Sequence, residues 1–130
     1  MYTMMQVCRE LDMTYQTLKF YCNEGLVPNV KRDHNNRRVF DEKDVKWIKD
    51  LTCLKKCGMS IQEMKKYLEL CLQGEATIVS RKKMLARKQE ELRASIKELE
   101  DSISYIGWKQ NFYDDVLSGK RPYVSNLIRT

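Results

Sequence analysis

Cys53 stands four residues after Lys49 and three before Lys56. On a helix those side chains are surface neighbours. Two ammonium groups beside a thiol favour the thiolate, the form that attacks an electrophile, while Asp50 opposes them. If Leu51 faces inward, Cys53 lies about 200° away around the same helix, which places its sulfur in solvent. Cys57 follows one turn later, although two cysteines on a regular helix pair only with local distortion. Cys8 and Cys71 fall on apolar stripes and read as inert, buried thiols. No cysteine follows Cys71, and His34 is the single imidazole, so neither a metal site nor another cofactor is expected. A lone histidine outside any Ser or Cys catalytic signature, with no glycine-rich phosphate loop, argues against an enzyme.

The second chemistry is anion binding. The 130 residues hold 24 Lys and Arg against 18 Asp and Glu, a net charge of +6, so an acidic partner is the first to consider, and nucleic acid leads. Apolar residues make up 42% and charged residues 32%, with two Pro and five Gly, a balance that suits long helices better than sheets or disorder. The length allows one core plus an extended element. No apolar run approaches a membrane span and the N-terminus lacks the pattern of a secretory signal, so the protein is expected to be soluble and cytoplasmic, with reduced thiols.

Local signals say which elements position these groups. Thr3 precedes Gln6, and Ser60 precedes Glu63, at capping-box spacing; Thr14 and Asp41 are two further N-cap candidates. Met4, Val7, Cys8 and Leu11 recur at helical spacing, so a short first helix follows Thr3. A tight turn at Asp12 and Met13 leads to a second helix from Thr14 to about Glu24, closed by Gly25 and Pro28. Two short helices with a tight turn spell helix-turn-helix. In that motif the second helix enters the major groove by its N-terminal residues, which puts Tyr15, Gln16 and Thr17 at base edges and Lys19 near phosphate; Gln16 can pair bidentately with adenine.

Val30 to Arg32 and Arg38 to Phe40 read as a hairpin wing around Asp33, His34, Asn35 and Asn36. Lys31, Arg32, Arg37 and Arg38 set four cations against Asp33 there. A third helix is expected over Glu42 to Cys57, with Val45, Ile48, Leu51 and Leu54 inward, and a fourth over Ile61 to Leu72, whose opening amides near Ser60 can hold a phosphate. Gly74 marks a boundary. From Thr77 no Pro or Gly intervenes before Gly107, and Ile78, Leu85, Leu92, Leu99, Ile106 and Tyr113 recur every seven residues, interleaved with Ile96, Ile103 and Leu117. A helix of about 40 residues extends roughly 60 Å, too far to be covered by so small a head, so this stripe is expected to zip against a second copy. Lys82, Gln89 and Gln110 interrupt the seam.

These residues and their order resemble the MerR family of bacterial transcription regulators. The carrying segments are Tyr2 to Val7, Thr17 to Tyr21, Asn23 to Pro28, Arg38 to Phe40 and Lys55 to Ser60. The resemblance implies that Tyr21 and Lys55 contact the DNA backbone and that the regulator bends and untwists a promoter so that RNA polymerase, met only through the DNA, can engage. Asp44 to Cys53, Gly74 to Thr77 and Ser80 to Lys82 are similar to the NmlR/AdhR-like aldehyde and thiol-stress branch, in which the cysteine matching Cys53 is the proposed sensor.

The fold expected is mainly α: a winged helix-turn-helix with a small β-hairpin wing over 1–74, a coiled-coil dimerisation helix over 75–118 and a tail over 119–130. The function expected is a homodimeric, sequence-specific regulator of double-stranded promoter DNA, associated with the nucleoid when bound. It would contact DNA through Tyr15, Gln16, Thr17, Lys19, Tyr21, Arg37, Arg38 and Lys55, dimerise through Leu85, Leu92, Ile96, Leu99, Ile103 and Ile106, and sense electrophiles at Cys53. The competing reading is an adaptor whose coiled coil and winged module both bind protein.

Overall fold

Side-chain caps decide where the helices begin. In the computed structural model, which describes residues 1–129, strand β1 (Tyr2–Thr3) runs into helix α1 (Met4–Leu11). There Thr3 Oγ1 accepts from the Gln6 amide at 3.2 Å and the Gln6 side chain accepts from the Thr3 amide at 2.9 Å. Asp12 turns the chain in the left-handed conformation, and α2 (Tyr15–Asn23) starts on the Thr14 cap. Strands β2 (Lys31–Arg32) and β3 (Arg38–Phe40) form the wing, followed by α3 (Glu42–Lys56) on the Asp41 cap and α4 (Ile61–Leu72) on the Ser60 cap. Gly58, at φ 85, closes α3 with the Met59 amide returning to the Leu54 carbonyl at 3.2 Å, and so aims the chain into α4. One 3-10 turn (Glu75–Thr77) leads to α5 (Ile78–Leu117), 40 residues long.

The wing holds one strand more than the hairpin expected from sequence. β1 pairs antiparallel with β3, Tyr2 opposite Phe40 and Thr3 opposite Val39, giving the order β1-β3-β2. This ties the start of the helix-turn-helix to the wing. Beneath it, Val7, Leu18, Tyr21, Leu26, Phe40, Ile48, Leu51 and Met64 are fully buried in one core. Each such side chain contributes about 1.5–3 kcal/mol relative to exposure, which makes the head a rigid mount for its surface groups. Leu54, expected inward, is only half-buried at the core margin. Trp47 donates to the Leu26 carbonyl at 2.7 Å and stacks on Tyr67, fastening α3 to the end of the helix-turn-helix and to α4.

Two compact units divide the chain, Met1–Lys88 and Gln89–Thr130. The first runs past Gly74 because the opening turns of α5 stay engaged. Thr77 is buried and donates to the Leu70 carbonyl, and Arg81 donates to Thr77 Oγ1 at 3.0 Å. Met84 packs on the core, and Lys88 Nζ lies 3.2 Å from a Glu63 carboxylate oxygen. In the second unit the apolar seam stands open: Leu92, Ile96, Leu99, Ile103 and Ile106 are between 40% and 69% exposed. Tyr105, Trp108 and Phe112 form an aromatic row, and Lys109 lies over the rings of Trp108, Phe112 and Tyr113. The chain turns out of α5 at Gly119, and the Lys120 amide donates back to the Asp115 carbonyl at 2.9 Å; the last residue, Thr130, lies outside the described residues. Among the described residues no helix is long and apolar enough to cross a membrane.

Candidate nucleic-acid interface

The Thr14 hydroxyl organises the first turn of α2. It accepts from the Thr17 amide at 3.1 Å and donates to Thr17 Oγ1 at 2.8 Å. Thr17 is therefore half-buried and part of the cap, whereas Tyr15, Gln16 and Lys19 are exposed on the outer face, joined by Phe20. Leu18 and Tyr21 occupy the opposite, buried face.

Tyr21 corrects the phosphate-contact expectation. Its side chain is 1% exposed, burial raises its pKa, and among the described residues its hydroxyl meets no hydrogen-bond partner. The reason is the spacing: Tyr21 follows Leu18 by three residues and so shares its inward stripe. A buried, unpartnered hydroxyl costs on the order of 1–3 kcal/mol. Tyr21→Phe is accordingly expected to leave the thermal midpoint unchanged or raise it by a few degrees. A clear drop would reveal a partner for that oxygen.

The wing tip is held by Asp33, whose carboxylate accepts from the amides of Asn35 at 2.9 Å and Arg37 at 3.0 Å. The Arg37 amide bond, ahead of the others, keeps its pKa below the ordinary carboxylate range. Asn36 takes φ 60, a conformation asparagine tolerates. Around this turn the four wing cations have different employments. Arg32 donates to the Asn36 carbonyl at 3.0 Å, and Arg38 donates to Asn23 Oδ1 at 2.7 Å, bracing the wing on the last turn of α2. Lys31 is engaged along the surface with Asp41 and Asp44. Arg37 is exposed, and among the described residues its side chain makes no ion pair or hydrogen bond. A cleft of about 470 Å³ between these elements is lined by Thr3, Met5, Tyr15, Arg32, Arg37 and Arg38 among others. It joins the start of the recognition helix to the wing, a continuous face on which a duplex backbone can run. Met5, 55% exposed at its rim, was not anticipated, because it reads in sequence as one more apolar residue of a short helix.

Two family models match this chain: one described as MerR HTH family regulatory protein over residues 2–71, the other as MerR, DNA binding, over residues 45–106. The chain belongs to the MerR family. An uncharacterized HTH-type transcriptional regulator of Haemophilus influenzae is 34% identical over 112 residues, 86% of this chain and 83% of the relative. The regulator AdhR of Bacillus subtilis is 37% identical over 87 residues, 67% of this chain and 62% of AdhR. Among solved structures, HiNmlR, described as a MerR family regulator lacking the sensor domain and bound to promoter DNA, superposes with a TM-score of 0.72 at 32% identity, over 90% of this chain and 93% of that one. The protein is thus a DNA-binding transcriptional regulator of the MerR family, with relatives that include NmlR- and AdhR-type members.

In this MerR-family head Lys55 is exposed in the last turn of α3, beside Lys56, where both cations also complement the helix dipole. The N-terminus of α4 is less open to phosphate than its sequence suggests. The Ser60 amide donates to Glu63 Oε1 at 3.0 Å and the Glu63 amide to Ser60 Oγ at 3.1 Å, so a carboxylate already sits there. Cys53 is exposed, as its helical angle required. It lines a cleft of about 510 Å³ with Lys49, Thr52 and Lys56, faced by Glu10, Leu11 and Asp12 from the end of α1. That opposing wall is a tertiary feature with no sequence signal. Cys57 is half-buried at the α3 cap, and the Cys8 thiol is buried and pushed up by desolvation. Burial also raises Cys22, with Arg38 and Arg32 pulling the other way. Cys71, expected to be buried, is half-exposed.

Proposed function

We propose that this MerR-family regulator acts as a cytoplasmic homodimer that distorts promoter DNA so that RNA polymerase can engage, and that an electrophile reacting at Cys53 selects the active dimer state. The observation that carries the dimer is the row of exposed apolar side chains on α5, from Leu85 through Leu92, Ile96, Leu99 and Ile103 to Ile106, at heptad spacing. Two copies zipped along it present two heads to a pseudo-palindrome. Each head offers Tyr15, Gln16 and the Thr17 turn to base edges, and Lys19, Arg37, Arg38 and Lys55 to the backbone. Distorting the duplex costs on the order of 1 to 10 kcal/mol, so the effector has to favour one dimer conformation by a comparable amount.

Chemically, the Cys53 sulfur adds to an aldehyde carbonyl carbon and the thiol proton passes to the carbonyl oxygen, giving a hemithioacetal with no further reactant. Exposure and the flanking Lys49 and Lys56 support Cys53 over the other four cysteines. The test compares promoter output with and without aldehyde for the native chain and Cys53→Ser. The variant is expected to bind the promoter as tightly as the native chain and to lose the aldehyde response. A response of undiminished size in Cys53→Ser removes this thiol from the mechanism.

A further inference from the structure

The outer strand of the wing, β2, is too short to hold its own orientation. β2 contributes two residues, Lys31 opposite Val39 and Arg32 opposite Arg38, and a ladder that short is marginal in water. What anchors its outer strand is the Lys31 ammonium. Nζ donates to the Asn29 carbonyl at 2.8 Å, to Asp41 Oδ2 at 2.9 Å and to Asp44 Oδ2 at 3.0 Å, which uses all three of its protons. The acceptors are not surface decoration. Asp44 has a side chain 5% exposed, and with Asp41 it forms the capping box that opens α3, the two carboxylates taking each other's amides at 2.8 and 3.0 Å. One ammonium thus joins the outer wing strand to the cap of a core helix.

We propose that Lys31 is a positioning residue for DNA binding: clamped by Asp41 and Asp44, it fixes the wing so that Arg37 meets the duplex backbone, and it makes no phosphate contact itself. The charge arithmetic supports this assignment. Lys31 faces two carboxylates, so the cluster carries a net negative charge, and moving the lysine out to a phosphate would leave a buried Asp44 unpaired. The hydrogen bonds from Lys31 to Asp41 and Asp44 raise its pKa, and it stays charged through the physiological range.

The experiment uses the full chain and the duplex upstream of its own gene, titrated at several salt concentrations, with Lys31→Met, Lys31→Arg and Asp44→Asn. Methionine keeps the stem without the charge, and arginine restores a cation that can span two carboxylates. Lys31→Met is expected to bind about tenfold more weakly, with the slope of affinity against salt unchanged, and Lys31→Arg to recover most of the loss. A lysine that neutralised a phosphate would instead lower that slope by about 0.9 per head. Asp44→Asn gives the opposite-sign control: deleting a negative charge strengthens binding to a polyanion by electrostatics alone, whereas here it is expected to weaken it. Amide exchange separates a moved wing from a weakened protein. In Lys31→Met it should quicken at the Asp33 and Asn36 amides and stay slow in α4. A reduced salt slope, undiminished affinity in Lys31→Met, exchange quickened throughout the head, or tighter binding by Asp44→Asn would each overturn the assignment.

Discussion

Leu99→Asp is expected to yield a monomer at micromolar concentration whose affinity for a two-half-site duplex is at least about 100-fold below that of the native chain. Leu99 lies midway along the seam and is 64% exposed, with Ile96 and Ile103 as its neighbours at helical spacing. In a dimer each copy removes that leucine from water, which favours association by about 1.5–3 kcal/mol per side chain. The twofold axis doubles every change, so the substitution forfeits two buried leucines and forces two carboxylates to be desolvated. A seam already interrupted by Gln89 and Gln110 has little reserve. Once the pair separates, each head binds one half-site alone, and linked binding of two modules commonly exceeds single binding by 10² to 10⁴. Sedimentation at increasing concentration and a duplex titration read the two effects separately. Lys97→Ala, 77% exposed in its side chain and paired only at the surface with Asp101, should change neither. A Leu99→Asp chain that remains dimeric would move the interface elsewhere.

How much of this was legible in the sequence follows from the range of the forces involved. Helix starts were readable because a cap is a contact between residues three apart: Thr3 with Gln6, Thr14 with Thr17, Asp41 with Asp44 and Ser60 with Glu63 all formed. The exposed position of Cys53 was readable from helical angle for the same reason. Strand β1 was not, since two residues show no periodicity and its pairing with β3 spans almost forty positions. Composition counts charges but carries no direction, so Lys31 joined the wing's cations in sequence while its ammonium turns away to Asp41 and Asp44. Tyr21 shows a different failure: its three-residue spacing from Leu18 already signalled burial, and the resemblance pointed outward. The wall of Glu10, Leu11 and Asp12 opposite Cys53 depends on how α1 meets α3, which no local pattern encodes.

Gln16→Ala is expected to lower affinity for the native operator by roughly 5- to 150-fold per half-site contact, the 1–3 kcal/mol that one bidentate base pairing supplies. It should also relax the preference at a single base pair in each half-site. Gln16 is exposed one residue into α2, and its side chain serves no cap, because Thr14 and Thr17 complete that turn between themselves. Its removal should therefore change stability by no more than about 0.5 kcal/mol, and the loss belongs to recognition. Arg37→Ala provides the contrast, since it removes an exposed cation at the wing tip. Its binding should weaken about equally on all sequences, with the salt slope lowered by about 0.9 per head. The two variants thus separate along different axes, one in base preference at constant slope and the other in slope at constant preference. If Gln16→Ala kept the native preference at every base pair, the reading of Gln16 as a base-reading residue of α2 would fail, and Tyr15, the Thr17 turn or the wing would have to carry the specificity.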